Sequence, residues 1–256
     1  MKLRVIENKK PELKISKMKC DVLIHEELKK YPLIRDCMNT FRNLVVLGKM
    51  GAGKTSFILS LLKNSAKKGG FKKCFHKIYL WMPTSSRSSL NPNIFECLPD
   101  EQVFDTLDYD NLSQVYEEIK ANKAEGNDFK CLLIFDDVQT QLKSNMAIIN
   151  LLNQMIIQER HLGICMWFLL QNYFSIHLKV RELIDNILFF KLDKVQQEKI
   201  FKEVAELPKD IFYELSDYIF DEPHNFCFIN KRIKSIYKNW DELQLIEDDE
   251  DENNKV

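Results

Sequence analysis

The chain has 256 residues, 45% of them hydrophobic, and a formal net charge of −1. That length supplies one full α/β core, or one core with a small appendage. The lysine-rich N-terminus has no apolar stretch of the secretory kind, and the longest apolar run, Leu162 to Leu170, is too short to cross a bilayer. No membrane span is expected, and the chain reads as a soluble intracellular protein.

The charge is uneven. Residues 241 to 256 hold eight acids and one base, which leaves 30 acids and 36 bases in the body, a net +6. A basic body with an acidic tail suits a polyanionic partner, and suits an ordinary lysine-rich surface equally. Eight like charges in sixteen residues repel one another and offer little to bury, so 241–256 is expected to be a disordered acidic tail. The seven cysteines are scattered, without a C-x-x-C pair, and several lie in apolar runs, so they read as small buried side chains in a reducing compartment. The five histidines show no zinc spacing.

Residues 1–40 are polar, basic and weakly patterned, an N-terminal extension with a short helix expected near 25–31. Asn43 to Gly48 reads as a buried strand, and Lys54 to Lys68 has helical periodicity ended by Gly69-Gly70. His76 to Met82 is a second strand, and the composition of Thr84 to Asn93 is that of a loop. Leu112 to Lys123 reads as an amphipathic helix, Cys131 to Phe135 as an apolar strand and Asn145 to Arg160 as one helix. Ile164 to Leu170 and Ile187 to Lys191 read as further buried strands, and the remainder mixes helices with a short strand at Phe226 to Ile229. Strands that alternate with helices and are apolar on both faces predict an α/β fold with a parallel sheet covered on both sides.

Between the first strand and the first helix lies Gly48-Lys49-Met50-Gly51-Ala52-Gly53-Lys54-Thr55, followed by Ser56. It matches G-x-x-x-x-G-K-[ST] in the strand–loop–helix context that this phosphate-binding loop requires. Successive backbone N–H groups must face the phosphates, glycine permits that path, and the helix N-terminus favours the anion. Lys54 is then expected at the β- and γ-phosphates of ATP, and the Thr55 hydroxyl on Mg²⁺. The strand Cys131 to Phe135 runs into Asp136-Asp137. Asp136 takes the metal role through water, and Asp137 that of the base activating the attacking water. One strand, His76 to Met82, separates the loop from the acids in sequence, which suits a RecA-like additional-strand P-loop core spanning 41–240. The N-K-x-D of GTPases does not occur. A protein-remodelling ATPase or a nucleotide kinase stands as the alternative reading, although the arginine-bearing lid of a kinase is not evident.

Further on, Arg160-His161-Leu162-Gly163-Ile164 enters an apolar strand ending in Gln171. With Phe135-Asp136-Asp137, with Ser175 to Lys191 and with Asp221-Glu222-Pro223-His224-Asn225-Phe226, this ordered set resembles the FtsK–HerA superfamily of DNA-pumping ATPases. The Arg160-His161 pair with Phe135-Asp136-Asp137, and the two later segments, look like its viral branch, the poxvirus-type genome-packaging ATPases of large DNA viruses and virophages, and the resemblance covers about 40–240. The resemblance implies an ATPase motor that translocates double-stranded DNA into a capsid, a homo-oligomeric and hexameric ring, and capsid or portal-vertex proteins as docking partners. It implies work in the host cytoplasm or virus factory, or in the virion. It also makes Gln171 the γ-phosphate sensor and Arg160 the arginine finger offered to a neighbouring subunit, with Arg181 as runner-up. Ala52 stands where family members often carry Ser.

Overall fold

The computed structural model describes residues 43–64, 70–88, 90, 94–126, 129–205 and 209–243. The fold is built outward from β1 (Leu44–Leu47), whose four residues are all fully buried. Leu44 and Val46 pack into one cluster with Ile58 and Leu61 of α1 (Lys54–Lys63). Val45 and Leu47 point the other way, into a larger cluster. The two-residue period of a strand thus gives β1 two apolar faces, as a central strand of a covered sheet requires.

β1 sits inside a nine-stranded sheet with β2 (Lys77–Trp81), β3 (Val103–Phe104), β4 (Cys131–Asp136), β5 (Ile164–Leu170), β6 (Asn186–Phe190), β7 (Phe226–Asn230), β8 (Ser235–Lys238) and β9 (Asp241–Leu243). The order across the sheet is β3-β2-β4-β5-β1-β6-β7-β8-β9. Strands β3 through β6 are mutually parallel, and β7, β8 and β9 add on antiparallel. One face is covered by α1. The other is covered by α2–α9 less the exposed α2 (Thr84–Ser88): α3 (Tyr109–Ala124), α4 (Gln139–Ser144), α5 (Met146–Ile157), α6 (Glu159–Leu162), α7 (Leu178–Arg181), α8 (Lys194–Ile200) and α9 (Lys209–Ile219).

Beneath the acid-bearing end of β4 an aromatic ladder crosses the sheet. Phe104, Trp81, Phe135 and Phe168 stack in register with centroids 5.0, 4.8 and 4.9 Å apart. Such cross-strand pairs stabilise by about 0.5–1.5 kcal/mol each beyond the area they bury. They fix the tip of β4 against its neighbours, where two carboxylates must be held.

Several elements differ from expectation. The run after β2 is not all loop: Thr84–Ser88 forms α2, started by Pro83, whose carbonyl accepts from the Ser86 and Arg87 N–H groups at 3.0 Å each. The helix expected over Asn145 to Arg160 is two helices, α5 and α6, divided at Gln158. α1 ends at Lys63 because Asn64 turns to an extended conformation, φ −79 and ψ 143. The antiparallel strands β8 and β9 were not expected. β9 takes the first three residues of the segment assigned to the acidic tail, since ladder bonds depend on backbone and Lys238 lies opposite Asp241. The helix expected near 25–31, the rest of the N-terminal extension and residues 244–256 lie outside the described residues, as do Cys20 and Cys37. Among the described cysteines, Cys131, Cys165 and Cys227 are buried and unbridged, as read from their apolar runs. No described helix is long and apolar enough to cross a membrane.

Candidate nucleotide site

The phosphate loop joins the C-terminal end of β1 to α1. Its first amide, Gly48 N–H, donates to the Leu170 carbonyl at the end of β5 (3.1 Å), so loop and β5 tip are one unit. Gly53 has φ 104, a left-handed value that costs glycine little, and it caps α1. The first intrahelical bond is Phe57 N–H to Gly53 carbonyl (2.8 Å), which leaves the amides of Lys54, Thr55 and Ser56 at the open helix N-terminus. Lys49, Met50, Gly51 and Ser56 are exposed around this end, Met50 at 86%, with Ala52 half-buried. Lys54 is buried and folds back over the loop, its Nζ donating to the carbonyls of Gly48 (2.9 Å) and Lys49 (3.2 Å). Burial pulls its pKa below the ordinary lysine value, and the carboxylates of Asp136 and Asp137 oppose that fall.

The acids face this loop across β5. Asp136 ends β4 and is buried, and the Thr55 hydroxyl donates to its Oδ2 at 3.1 Å. Burial, followed by repulsion from Asp137, raises the Asp136 carboxyl to about 6. Asp137 is exposed and sits at φ 57, a left-handed conformation that aspartate tolerates better than most side chains. Its Oδ2 accepts from the Ser86 hydroxyl on α2 at 3.0 Å.

The strand between β1 and β4 in space is β5, whereas β2 lies outside β4. The sequence reading therefore reached the additional-strand arrangement from the wrong strand. Gln171 follows β5 directly and is exposed at the tip between the loop and the acids. Its N–H donates to Gln139 Oε1 at 3.3 Å, as does the Ser175 hydroxyl, also at 3.3 Å.

The two arginines differ. Arg160 is exposed on α6, before β5 begins. Seven residues of strand separate that end from the loop end, about 20 Å at 3.3 Å per residue, so Arg160 cannot reach its own chain's loop. The preceding Glu159 is buried and accepts from Asn43 Nδ2 (2.5 Å), while Asn43 Oδ1 accepts from Met166 N–H (3.0 Å). Gly163 closes α6 at φ 68, and a Cβ there would lie 2.2 Å from the Phe129 carbonyl oxygen. The glycine of R-x-x-G-I is thus required by a close approach, and the motif's geometry aims Arg160 outward. Arg181 is buried instead, pairing with Glu203 through Nε (2.8 Å) and Nη2 (3.3 Å) and lying over the rings of Tyr173 and Phe174. It is engaged within its own subunit, whereas Arg160 is exposed.

No group of three or more His, Cys, Asp or Glu among the described residues could enclose a metal. The oxygens of Thr55 and Asp136 suit Mg²⁺ in another way, since this ion takes one or two protein oxygens and fills its octahedron with phosphates and water. A carboxylate whose proton affinity is raised by burial and then by a second acid is also a site where a cation is welcome. Ser86, Gln139 and His224, whose Nδ1 lies 3.3 Å from the Ala52 carbonyl oxygen, were missed as site residues. Only His224 stood in a segment singled out by sequence, and no role attached to it there.

A phosphate loop, a carboxylate pair two strands away and a third strand between them define a P-loop NTPase of the additional-strand class. Within that class the chain belongs to the family described as Poxvirus A32 protein, which it matches over residues 30–213. Among solved structures it is similar to the genome-packaging NTPase B204 of Sulfolobus turreted icosahedral virus 2 in complex with AMP, with a TM-score of 0.52, 16% identity, and 77% of this chain and 96% of that one covered. The DNA-packaging ATPase B204 of Sulfolobus turreted icosahedral virus gives 0.51 at 18% identity, covering 82% and 100%. EssC (ATPases 2 and 3) of Geobacillus thermodenitrificans gives 0.50 at 16%, covering 81% of this chain and 41% of that one. At these identities the likeness is one of fold. No curated protein sequence matches the chain.

Proposed function

We propose that this chain is an ATP-hydrolysing motor that packages a viral genome by translocating double-stranded DNA, working as a homo-oligomeric, hexameric ring. The observation that carries the reading is the pairing of a complete phosphate loop and acid pair at one end of β5 with an outward Arg160 at the other. Family membership and the fold shared with packaging NTPases support it.

In this reading the loop amides of 48–53 and the α1 N-terminus hold the phosphates, with Ser56 beside the phosphate nearest the nucleoside. Lys54 leaves the carbonyls of Gly48 and Lys49 for the β- and γ-phosphates. Thr55 holds Mg²⁺ and Asp136 holds it through water; the ion would offset charge on the phosphate oxygens. Asp137 takes the proton of the attacking water, once its carboxylate is released from or shared with Ser86, and Gln171 reports on the γ-phosphate. Arg160 stabilises the transferring phosphoryl group in the adjacent subunit. Capsid or portal-vertex proteins are the proposed anchors of the ring, and residues 41–240 the ATPase domain, now extended through β9.

The test is ATP turnover with and without duplex DNA, in wild type, Lys54→Ala and Asp137→Asn. Duplex-stimulated hydrolysis is expected in wild type alone, with Asp137→Asn still binding Mg-ATP. Turnover indifferent to duplex DNA would refute the motor reading, and wild-type turnover in Asp137→Asn would refute the base assignment.

A further inference from the structure

The side chains assigned so far deal with the triphosphate and none deals with the nucleoside. We propose that the turn 221–225 forms the nucleoside side of the site, with His224 as a ribose-contacting residue; this rests on the ATP-binding reading above. Sidedness comes first. Thr55 and Asp136 fix the metal and terminal phosphate on the β5–β4 flank of β1. Three phosphates crossing the loop from there emerge on the opposite flank, which β6 and β7 form.

The turn leading into β7 occupies that flank. His224 Nδ1 lies 3.3 Å from the Ala52 carbonyl oxygen, and a Cβ built on Gly53 would lie 3.8 Å from the same nitrogen. A carbonyl can only accept, so Nδ1 carries the hydrogen in this contact. Nε2 is the ring nitrogen not used in this contact, and in the Nδ1–H tautomer it can accept from a ribose hydroxyl. The turn is built to hold this pose. His224 stands at φ 65, Asn225 Nδ2 donates to Asp221 Oδ1 (2.8 Å), and Lys238 Nζ donates to Asp221 Oδ2 (2.7 Å). Asn239 Nδ2 donates to Asn225 Oδ1 (2.9 Å), and Phe226 packs edge-on to Phe57 of α1 (5.5 Å). These contacts tie the turn to the β7–β8 hairpin and, through Phe226 and Phe57, to the loop helix.

The competing role is a brace that merely supports the loop. Binding of Mg-ATP, 2′-deoxy-ATP, 3′-deoxy-ATP and inorganic tripolyphosphate to the full chain separates the two. The variants are His224→Gly, which keeps the positive φ without strain, and His224→Asn, which also tolerates it. Wild type is expected to bind ATP about three- to tenfold tighter than one of the deoxy analogues, as one net hydrogen bond implies. Both variants should lose that preference and bind ATP correspondingly more weakly, with tripolyphosphate affinity unchanged. Equal loss for ATP and tripolyphosphate would show a brace and overturn the proposal, as would unchanged ATP affinity. Wild-type protein that binds neither ATP nor tripolyphosphate would overturn the ATP-site reading, and this proposal with it.

Discussion

Replacing Asp136 by Asn should stabilise the nucleotide-free protein while damaging its metal site. An ordinary aspartate titrates at 3.8 and Asp136 at about 6. The folded state thus holds this proton more tightly than the unfolded chain, and stability contributed by the group falls as pH rises from about 4 to about 6. Above pH 6 the ionised, buried Asp136 costs about 3 kcal/mol, at about 1.4 kcal/mol per tenfold change in proton affinity. Asn carries no such charge and its carbonyl can still accept from Thr55. In a chelator-containing, nucleotide-free buffer at pH 7.5, Asp136→Asn should melt about 6–12 °C above wild type by scanning calorimetry. The difference should shrink to roughly half at pH 5, where the folded wild type has already taken up the proton. Adding Mg-ATP should raise the wild-type melting point more than the variant's. A variant equal to or below wild type at pH 7.5 would refute the argument that the empty site is held under electrostatic tension.

Arg160→Ala should bind ATP normally and lose about 10³- to 10⁵-fold in hydrolysis. Mixing it with Lys54→Ala should restore part of the activity in a co-assembled sample, because the mixed interface joins an intact loop to an intact arginine; wild-type turnover in Arg160→Ala alone would exclude it. Arg181→Met should behave otherwise, lowering the melting point by about 4–8 °C through loss of about 2 kcal/mol of charged hydrogen bonding to Glu203. Normal stability with lost turnover in that variant would reverse the assignment of the two arginines.

The phosphate loop was legible because each of its demands falls on a residue type: glycine at the left-handed Gly53, lysine and threonine at the helix start. The R-x-x-G-I segment was legible for the same reason, Gly163 being forced by the Phe129 carbonyl. Asp136 and Asp137 could be read as a pair. Their distinct roles were assigned by position, but the burial of one and the φ of 57 at the other could not be read, since they arise from strand order and from the turn beyond β4. Ser86, on α2, and His224, in the turn before β7, lie 51 and 172 residues from their partners in sequence, and no local period records such a meeting. Arg181 looked as available as Arg160 because its fate depends on Glu203, 22 residues later. β8 and β9 escaped because they are short, four and three residues, and join the sheet through backbone pairing with no apolar alternation to mark them.

β5 has a further consequence. Its seven residues are all buried and pair with β4 on one side and β1 on the other, so it can neither stretch nor slide without breaking two ladders. Gln171 follows one end, beside the phosphate loop, and Arg160 precedes the other, exposed on the surface. In the proposed motor a strand clamped this way would act as a push-rod: a displacement of its Gln171 tip on loss of a γ-phosphate would be carried along the strand to the same subunit's Arg160, which faces the neighbour. In the proposed closed ring of such rods each site would hear from one neighbour and speak to the other, which would give hydrolysis a direction of travel around the ring before any DNA is gripped.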